Sequence, residues 1–436
     1  MKKYYKNLNL IRFLACFFVL LYHLNIIKGG FLAVCTFFVL SGYLSCISAF
    51  KSEKFSFKKY YLNKLKHLYL PLIIVVFIAI AVISIIPGIE WLNLKPETTS
   101  ILLNYNNFWQ LNANLDYFTR HVDSPFMHLW YISILIQFDL IFPFLFLILK
   151  KIGDKIHKIL PTVITFILSL VSVWYFHKCN LDNIMVAYYN TFARSFSILF
   201  GLSLGFLHSY YKSINESKLK HNLISNIVFY ILMLSLVVLI FVGDATSEFF
   251  ELHMILASVL SMLLISYAVF DESKLSIFDK IIKFFSDISY QIYLVQYPVI
   301  FIFQELKMNN NLKLFLIILI TLIISYILHI CLNIKKDEKL KVLKYILRSI
   351  ILIISFYGIY NYIIAVDHTA EMKALEEQLK ENEKLMLEQQ EKYVNKLQEE
   401  QENWNKILSN LEDSENNLKE LVSNAPIVGV GDSVML

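Results

Sequence analysis

Charge is what this 436-residue sequence has least of. Only 17% of its residues are Asp, Glu, Lys or Arg, against 57% hydrophobic, and its mean hydropathy is +0.56. Soluble globular chains carry roughly a quarter charged residues, which argues against a soluble enzyme of two or three domains. Arginine is scarcer still. Of 40 basic residues only Arg12, Arg120, Arg194 and Arg348 are arginine, so each stands out in a lysine-rich chain. The five cysteines (Cys16, Cys35, Cys46, Cys179 and Cys331) show neither metal-ligand spacing nor a paired extracellular pattern, so no disulfide and no metal site is expected. The basic and then apolar N-terminus lacks an A-x-A-like cleavage site and reads as a retained signal-anchor helix. Internal repeats, which a transporter would be expected to show, are missing as well. What is abundant excludes disorder: aromatic residues make up 15% of the chain.

The apolar residues gather into runs of ~20, the length that crosses ~30 Å of hydrocarbon. Eleven segments qualify: 8–27, 31–50, 68–87, 128–149, 159–177, 188–208, 223–243, 252–270, 284–304, 312–332 and 344–365. With the N-terminus inside, the inner connections hold 24 lysines, whereas the outer ones hold only Lys28, Lys95, Arg120, Lys178 and Lys307. Cytoplasmic loops show this bias. The expectation is an all-α polytopic protein of the plasma membrane, with a cytoplasmic N-terminus and an extracytoplasmic C-terminal tail. The net charge of +5 divides the same way: the last 70 residues hold seven lysines against sixteen acidic residues, −9, which leaves +14 for the first 366.

Residues 367–424 read as a helical, coiled-coil-like stalk. Met372, Leu379, Met386, Tyr393 and Leu397 form a rough heptad that Glu376, Glu383 and Gln390 interrupt. A lone stalk and a dimer through it both stay open. Residues 425–436 read as a strand entering a Gly431-Asp432-Ser433 turn. The long external loop, 88–127, reads either as a lid over a site or as an unstructured connector.

Ionisable groups inside spans are costly and are functional candidates by default. Arg12 and His23 lie ~20° past three full helical turns of one another and ~16 Å apart along the axis, so they share one helix face. His128, Trp130 and Tyr131 open the fourth span. His128 and Trp130 belong to the outer interface, where Trp is a common anchor. Asp139 lies deeper, where a carboxylate needs a partner or a proton. Arg194 enters the sixth span ahead of Gly201 and Gly205, a small-xxx-small face for close helix packing. In the ninth span Tyr293, Gln296 and Tyr297 precede Pro298, which can kink the helix and free a carbonyl. His23, His128, Arg194 and His253 are expected to converge in the outer half, with Arg12 facing inward. A neutral histidine can act as a general base or accept an acyl group, and an arginine can hold a phosphate. Acyl transfer from a cytoplasmic phosphorylated donor to an external acceptor needs both. A transporter or flippase would need the same cavity.

The spacing Arg12-(ten residues)-His23, followed by Phe37-Phe38-Val39-Leu40-Ser41-Gly42-Tyr43-Leu44, resembles the opening of the membrane acyltransferase 3 family. So do His128-Leu129-Trp130-Tyr131 through Gln137-Phe138 to Pro143, Arg194 to Gly201, and Ser289-Tyr290 through Tyr293-Leu294 to Tyr297-Pro298. The similarity implies a ten-span acyltransferase module over 1–335. The eleventh transmembrane helix (336–366), the stalk and the Gly-Asp-Ser turn look like members that continue into an extracytoplasmic SGNH domain, as peptidoglycan O-acetyltransferases of Gram-positive bacteria do.

The resemblance implies acetyl-CoA as donor and a cell-wall or surface glycan hydroxyl as acceptor, such as C6 of N-acetylmuramic acid. Teichoic acid and exopolysaccharide are the alternative acceptors. Membrane lipid is the expected surrounding partner and nucleic acid is not expected. Arg12 and His23 would be the pair required for transfer, and Ser433 the nucleophile of an intact SGNH domain. His128, Trp130, Tyr131, Arg194, Asp139, Tyr293 and Gln296 are the candidates for binding donor or acceptor. The sequence stops three residues after Ser433, so the second module is expected to be cut short at its start. The chain departs from the family pattern at Ala33-Val34-Cys35, where Gly-x-Asp is common, and at Leu135 and Ile136, where glutamates are. Asn63-Lys64-Leu65-Lys66-His67 replaces an Arg-rich helix. Asp139 is a candidate for the missing carboxylate role.

Overall fold

The structure, a computed structural model, describes residues 6–51, 55–87, 91–113, 118, 124–214, 223–269, 277–304, 306–332 and 341–409. Regular structure among the described residues is all helical. The long apolar runs give α1 (Lys6–His23), α2 (Ala33–Phe50), and α3 (Phe57–Lys64), which passes through a π-helical turn (Leu65–Tyr69) into α4 (Leu70–Ile83). Two short helices follow, α5 (Leu94–Leu102) and α6 (Asn106–Asn112). Then come α7 (Trp130–Lys155), α8 (Leu160–Asp182), the short α9 (Ile184–Tyr189), α10 (Thr191–Ile214), α11 (Leu223–Val242), α12 (Phe250–Ala268), α13 (Ile277–Gln304), α14 (Asn310–Leu332) and α15 (Lys341–Ile364).

Every one of the eleven apolar segments is helical, but eight helical stretches among the described residues, not eleven, are long and apolar enough to cross a membrane. The three outside that set are α1, α10 and α13. They carry Arg12 and His23, Arg194, and Lys283 and Asp287 respectively. Packing accounts for Arg12, His23 and Arg194, since α1 lies against α13 and α2, and α10 lies between α2 and α8. On α13, Lys283 and Asp287 pair with each other on an exposed face instead. The outward surface belongs to the apolar helices, as on α7, where Leu140, Ile141, Phe144 and Ile148 are exposed. The chain is a multi-pass membrane protein.

The small-residue face of α10 does what its spacing suggests. A Cβ on Gly201 would lie 1.9 Å from the Val39 carbonyl oxygen, and one on Gly42 would lie 2.1 Å from that of Ile198, so α2 and α10 touch backbone to backbone. α1 ends in a left-handed cap. Asn25 has φ 58°, with Ile26 N–H bonded to Leu21 O and Asn25 N–H to Tyr22 O. This cap fixes His23 in the last turn of the helix.

Where it is described, the stretch 88–127 is not an unstructured connector. α5 closes with Asn104 at φ 60°, another left-handed cap, which turns the chain into α6. Asn106, Asn107 and Gln110 are fully buried. Asn107 Nδ2 donates to Tyr189 O at 2.9 Å, and Gln137 Nε2 donates to Asn104 O at 2.7 Å. The two helices are therefore docked into the bundle by polar side chains that bond to one another and to backbone carbonyls.

The chain divides into two compact units, Met1–Asp367 and His368–Leu436. The first includes α15, whose Gly358 sits against the Phe77 carbonyl oxygen of α4, where a Cβ would come within 1.9 Å. In the second, α16 (Thr369–Ser409) is a continuous helix of 41 residues, ~60 Å long at ~1.5 Å per residue. Leu379, Met386, Tyr393 and Leu397 are exposed along it. The expected strand over 425–436, with Ser433, lies outside the described residues.

Candidate active site

α1 lays Arg12 and His23 along α7 and α13. Arg12, half-buried, lines a cavity of about 150 Å³ together with Ser41, Tyr131, Ser289, Tyr290 and Tyr293. These residues come from four helices and from the very segments whose motifs the sequence singled out. The carboxylate whose field reaches Arg12 is Asp287 on α13. Tyr293 is the wall between this cavity and a second polar group. Its ring packs on Tyr131 at 5.5 Å and on His128 at 5.0 Å, and its hydroxyl donates to the His128 carbonyl.

Beyond that wall the two histidines meet. Their ring centroids are 6.0 Å apart, and Tyr297 lies against both, edge-on to His23 at 4.9 Å and stacked on His128 at 5.0 Å. His23 and His128 are both buried. A line of polar groups thus runs from Arg12 through Tyr131 and Tyr293 to His128 and His23. The 3-10 turn Met127–Leu129 holds His128 in place, with Gln110 Nε2 donating to Met127 O at 2.8 Å. The ring nitrogens of His128 lack a hydrogen-bond partner of good geometry, although the backbone carbonyls of Tyr293 and Leu294 face them. Leu294 is the carbonyl that Pro298 leaves without its helical donor. Gln296 is fully buried, and neither end of its amide has a hydrogen-bond partner among the described residues. A buried orphan amide is costly, which marks this turn of α13 as a place where a ligand group or water completes the bonding.

Arg194 belongs to a separate neighbourhood. It is 0% exposed, and its guanidinium carbon lies 5.1 to 5.9 Å from the ring centroids of Tyr188, Phe38, Trp130 and Phe196. Its terminal nitrogens reach Met254 Sδ at 3.7 Å and Cys35 Sγ at 3.8 Å. No carboxylate is among its partners in the described residues. Among the described residues neither Arg194 nor His253 contacts the histidine pair directly. His253 packs on Phe249 at the start of α12, and Arg194 reaches the site through Trp130 and through Phe38, whose ring packs on Tyr131 at 4.6 Å. Trp130 is not an interfacial anchor either. It is fully buried and packs on Tyr188 at 4.6 Å, because docked α6 and α9 cover the end of α7.

Asp139 finds the partner its burial requires. Oδ1 accepts from Tyr60 at 2.7 Å and pairs with Lys64 Nζ at 2.7 Å, and Lys64 also donates to Ser45 Oγ at 3.3 Å. The basic segment that departs from the family pattern therefore supplies the counter-charge. Sequence reasoning missed Glu97. This α5 carboxyl is fully buried and accepts from Ser124 and, at 3.1 Å, from Trp91 Nε1. Burial pushes its pKa up to about 8 despite both donors. The polar composition of its loop gave no signal that it was buried. Among the described residues no three His, Cys, Asp or Glu side chains gather as metal ligands would.

Comparison with known proteins gives this geometry a context. The sequence pattern described as Acyltransferase domain (acyltransferase 3) matches residues 5–330. A peptidoglycan O-acetyltransferase (OatA) of Listeria monocytogenes is 29% identical over 313 residues, 69% of this chain and 50% of that protein. An O-acetyltransferase (OatA) of Staphylococcus aureus is 27% identical over 331 residues, 73% of this chain and 54% of that protein. A putative O-acetyltransferase of the same species is 27% identical over 314 residues, 68% of this chain and 51% of that protein. The chain spans about half the length of the curated relatives it matches. No solved structure matches.

Proposed function

The chain belongs to the acyltransferase 3 family, and from that premise we propose that its membrane module is an O-acetyltransferase. It would take an acetyl group from acetyl-CoA on the cytoplasmic side and deliver it toward a cell-wall glycan hydroxyl outside, in eleven spans with the N-terminus inside. The observation that carries this reading is the polar line from the Arg12 cavity to the His23–His128 pair. A cavity of about 150 Å³ is of the size that admits a benzene-sized molecule elsewhere, which suits an acetyl thioester.

Arg12 holds the donor's polar end by paired N–H donors. At the histidine pair, a neutral imidazole takes the proton of the incoming hydroxyl as general base. The hydroxyl oxygen then bonds to the acetyl carbonyl carbon, the C–S bond breaks, and the imidazolium returns the proton to the leaving thiolate. Gln296 has free donors and acceptors to orient a carbonyl or hydroxyl. Gly431-Asp432-Ser433 is the proposed point of onward transfer to an SGNH-type serine, and the Listeria relative named a peptidoglycan O-acetyltransferase supports a peptidoglycan acceptor.

Inside-out membrane vesicles holding a muramic-acid glycan in the lumen, given labelled acetyl-CoA outside, test this. The protein carrying an intact SGNH module should place alkali-labile label on the glycan, and His23→Ala in it should abolish the label at equal expression. Equal labelling by both proteins would remove His23 from the chemistry. Entry of label without ester formation would favour a transporter.

A further inference from the structure

A larger cavity, about 550 Å³, opens on the flank of the bundle between the α3–π-turn–α4 segment and α7. Its volume is in the range of ligand sites, and it shares no lining residue with the Arg12 cavity, although the Tyr290 hydroxyl of that cavity donates to Leu68 O at 2.7 Å. Leu62, Leu65, Leu68, Ile136 and Leu140 make most of its wall, with Lys58 at one end and Tyr69 and Asn104 at the other. From Lys58 to Tyr69 the helical segment advances ~16 Å at ~1.5 Å per residue. The cavity is therefore a groove, apolar along its length and cationic at one tip.

Its mouth faces lipid. Leu62, Leu65 and Leu140 are 53%, 51% and 54% exposed, and α7 continues the same surface with Ile141, Phe144 and Ile148. The π-helical turn Leu65–Tyr69 forms one side of it, and such turns are frequent at functional positions. Polar contacts hold that side against α7: the Lys64–Asp139 pair, the Tyr60 hydroxyl on Asp139, and the Tyr61 hydroxyl, which donates to Leu140 O at 2.8 Å. Lys64 is thus already neutralised, whereas Lys58 stands exposed on α3 at the groove's end. An apolar chain with one negative group at its tip fits this arrangement. The pantetheine arm of a soluble acyl donor fits it poorly, because its amides would meet leucine side chains and lose their hydrogen bonds.

We propose that the groove binds one anionic phospholipid, with an acyl chain along Leu62, Leu65, Leu68 and Leu140 and its phosphate at Lys58. Basic pockets between transmembrane helices hold lipid headgroups in this way. The inference goes beyond the acetyl-transfer reading and does not depend on it.

The full chain, purified in detergent and titrated with dioleoyl phosphatidylglycerol or dioleoyl phosphatidylcholine, tests the proposal by native mass spectrometry. Phosphatidylglycerol should be retained at one molecule per chain and bind roughly fivefold more tightly than phosphatidylcholine, the share of a single lysine. Lys58→Gln should erase the preference, Lys58→Arg should keep it, and Leu65→Trp, which fills the groove, should remove the bound lipid. Equal retention of the two lipids by the unaltered chain would overturn the proposal. So would an unchanged preference in Lys58→Gln, a surface variant that leaves the core intact. Displacement of phosphatidylglycerol by coenzyme A would assign the groove to the donor instead and overturn it as well.

Discussion

Two arginines lie inside this bundle in opposite circumstances. Arg12 is half-buried beside a cavity of about 150 Å³, in line with tyrosines and a histidine pair. Arg194 is wholly buried, boxed by four aromatic rings and two sulfur atoms. Desolvated cation–π contacts can each contribute about 2 kcal/mol, so the box can hold a guanidinium without a carboxylate. Burial of a charge in a membrane protein therefore does not by itself mark the reacting centre. Room beside the charge is the better guide, since a substrate must come and go.

The contrast can be broken by experiment. The largest effect belongs to the Arg12–His23 line: His23→Ala should lower acetyl transfer by ~10²–10⁴-fold, the usual contribution of a general base, with an unchanged melting temperature. In the box the order should reverse. Arg194→Ala should cost about 3–5 kcal/mol of stability, as large-to-small core changes do, read by thermal unfolding. Arg194→Met, which fills the space without charge, should fold and keep transfer. If it folds and transfer is lost, the box is part of the machinery and the contrast collapses.

Glu97 behind the His128 turn gives a pH signature. Its carboxyl stays protonated in the folded chain up to about 8, but ionises from about 4.5 when unfolded. The unfolded state thus binds fewer protons between those values, and stability should fall as pH rises through that window, by at most ~1.4 kcal/mol per pH unit. Glu97→Gln should flatten the slope in melting curves taken across it. Asp139→Asn leaves Lys64 without its counter-charge and should cost about 2 kcal/mol, with transfer per folded molecule unchanged. A loss of transfer without loss of stability would give Asp139 the carboxylate role instead. The smallest effect is expected outside the membrane. Lys28 pairs with Asp244 at 2.9 Å, yet Lys28→Ala should shift stability by under ~1 kcal/mol, because the pair is exposed. The Asp244 carboxyl, at about 2, is held down first by the Thr246 backbone N–H.

Much of this was legible from residues alone. Long apolar runs announced helices over all eleven segments, of which eight among the described residues are long and apolar enough to cross a membrane, whose interior tolerates little else. The eleven-residue spacing put Arg12 and His23 on one face, and Pro298 pointed to a free carbonyl near the site. What stayed hidden depended on side chains meeting across the chain. Asn106, Asn107 and Gln110 look like loop residues because their polarity is visible and their mutual hydrogen bonding is not. Trp130 looked like an interfacial anchor because nothing local shows that α6 and α9 cover it. Lys64 read as one more cytoplasmic lysine, since its pairing with Asp139 spans two helices far apart in sequence.

The three polar helices at the centre also set a clock for biosynthesis. α1 is made first, but Phe13 packs on Phe285, Cys16 donates to Ser289 O, and Lys6 pairs with Asp279, all on α13. Roughly 250 residues separate the end of α1 from the start of α13, which takes on the order of 10–50 s at ~5–20 residues per second. Throughout that interval α1 has α2 beside it but not its α13 contacts, and must wait in or beside the insertion machinery to complete its packing. The nascent chain is most exposed to quality control during this wait, so changes to α13 should reduce yield by stranding α1.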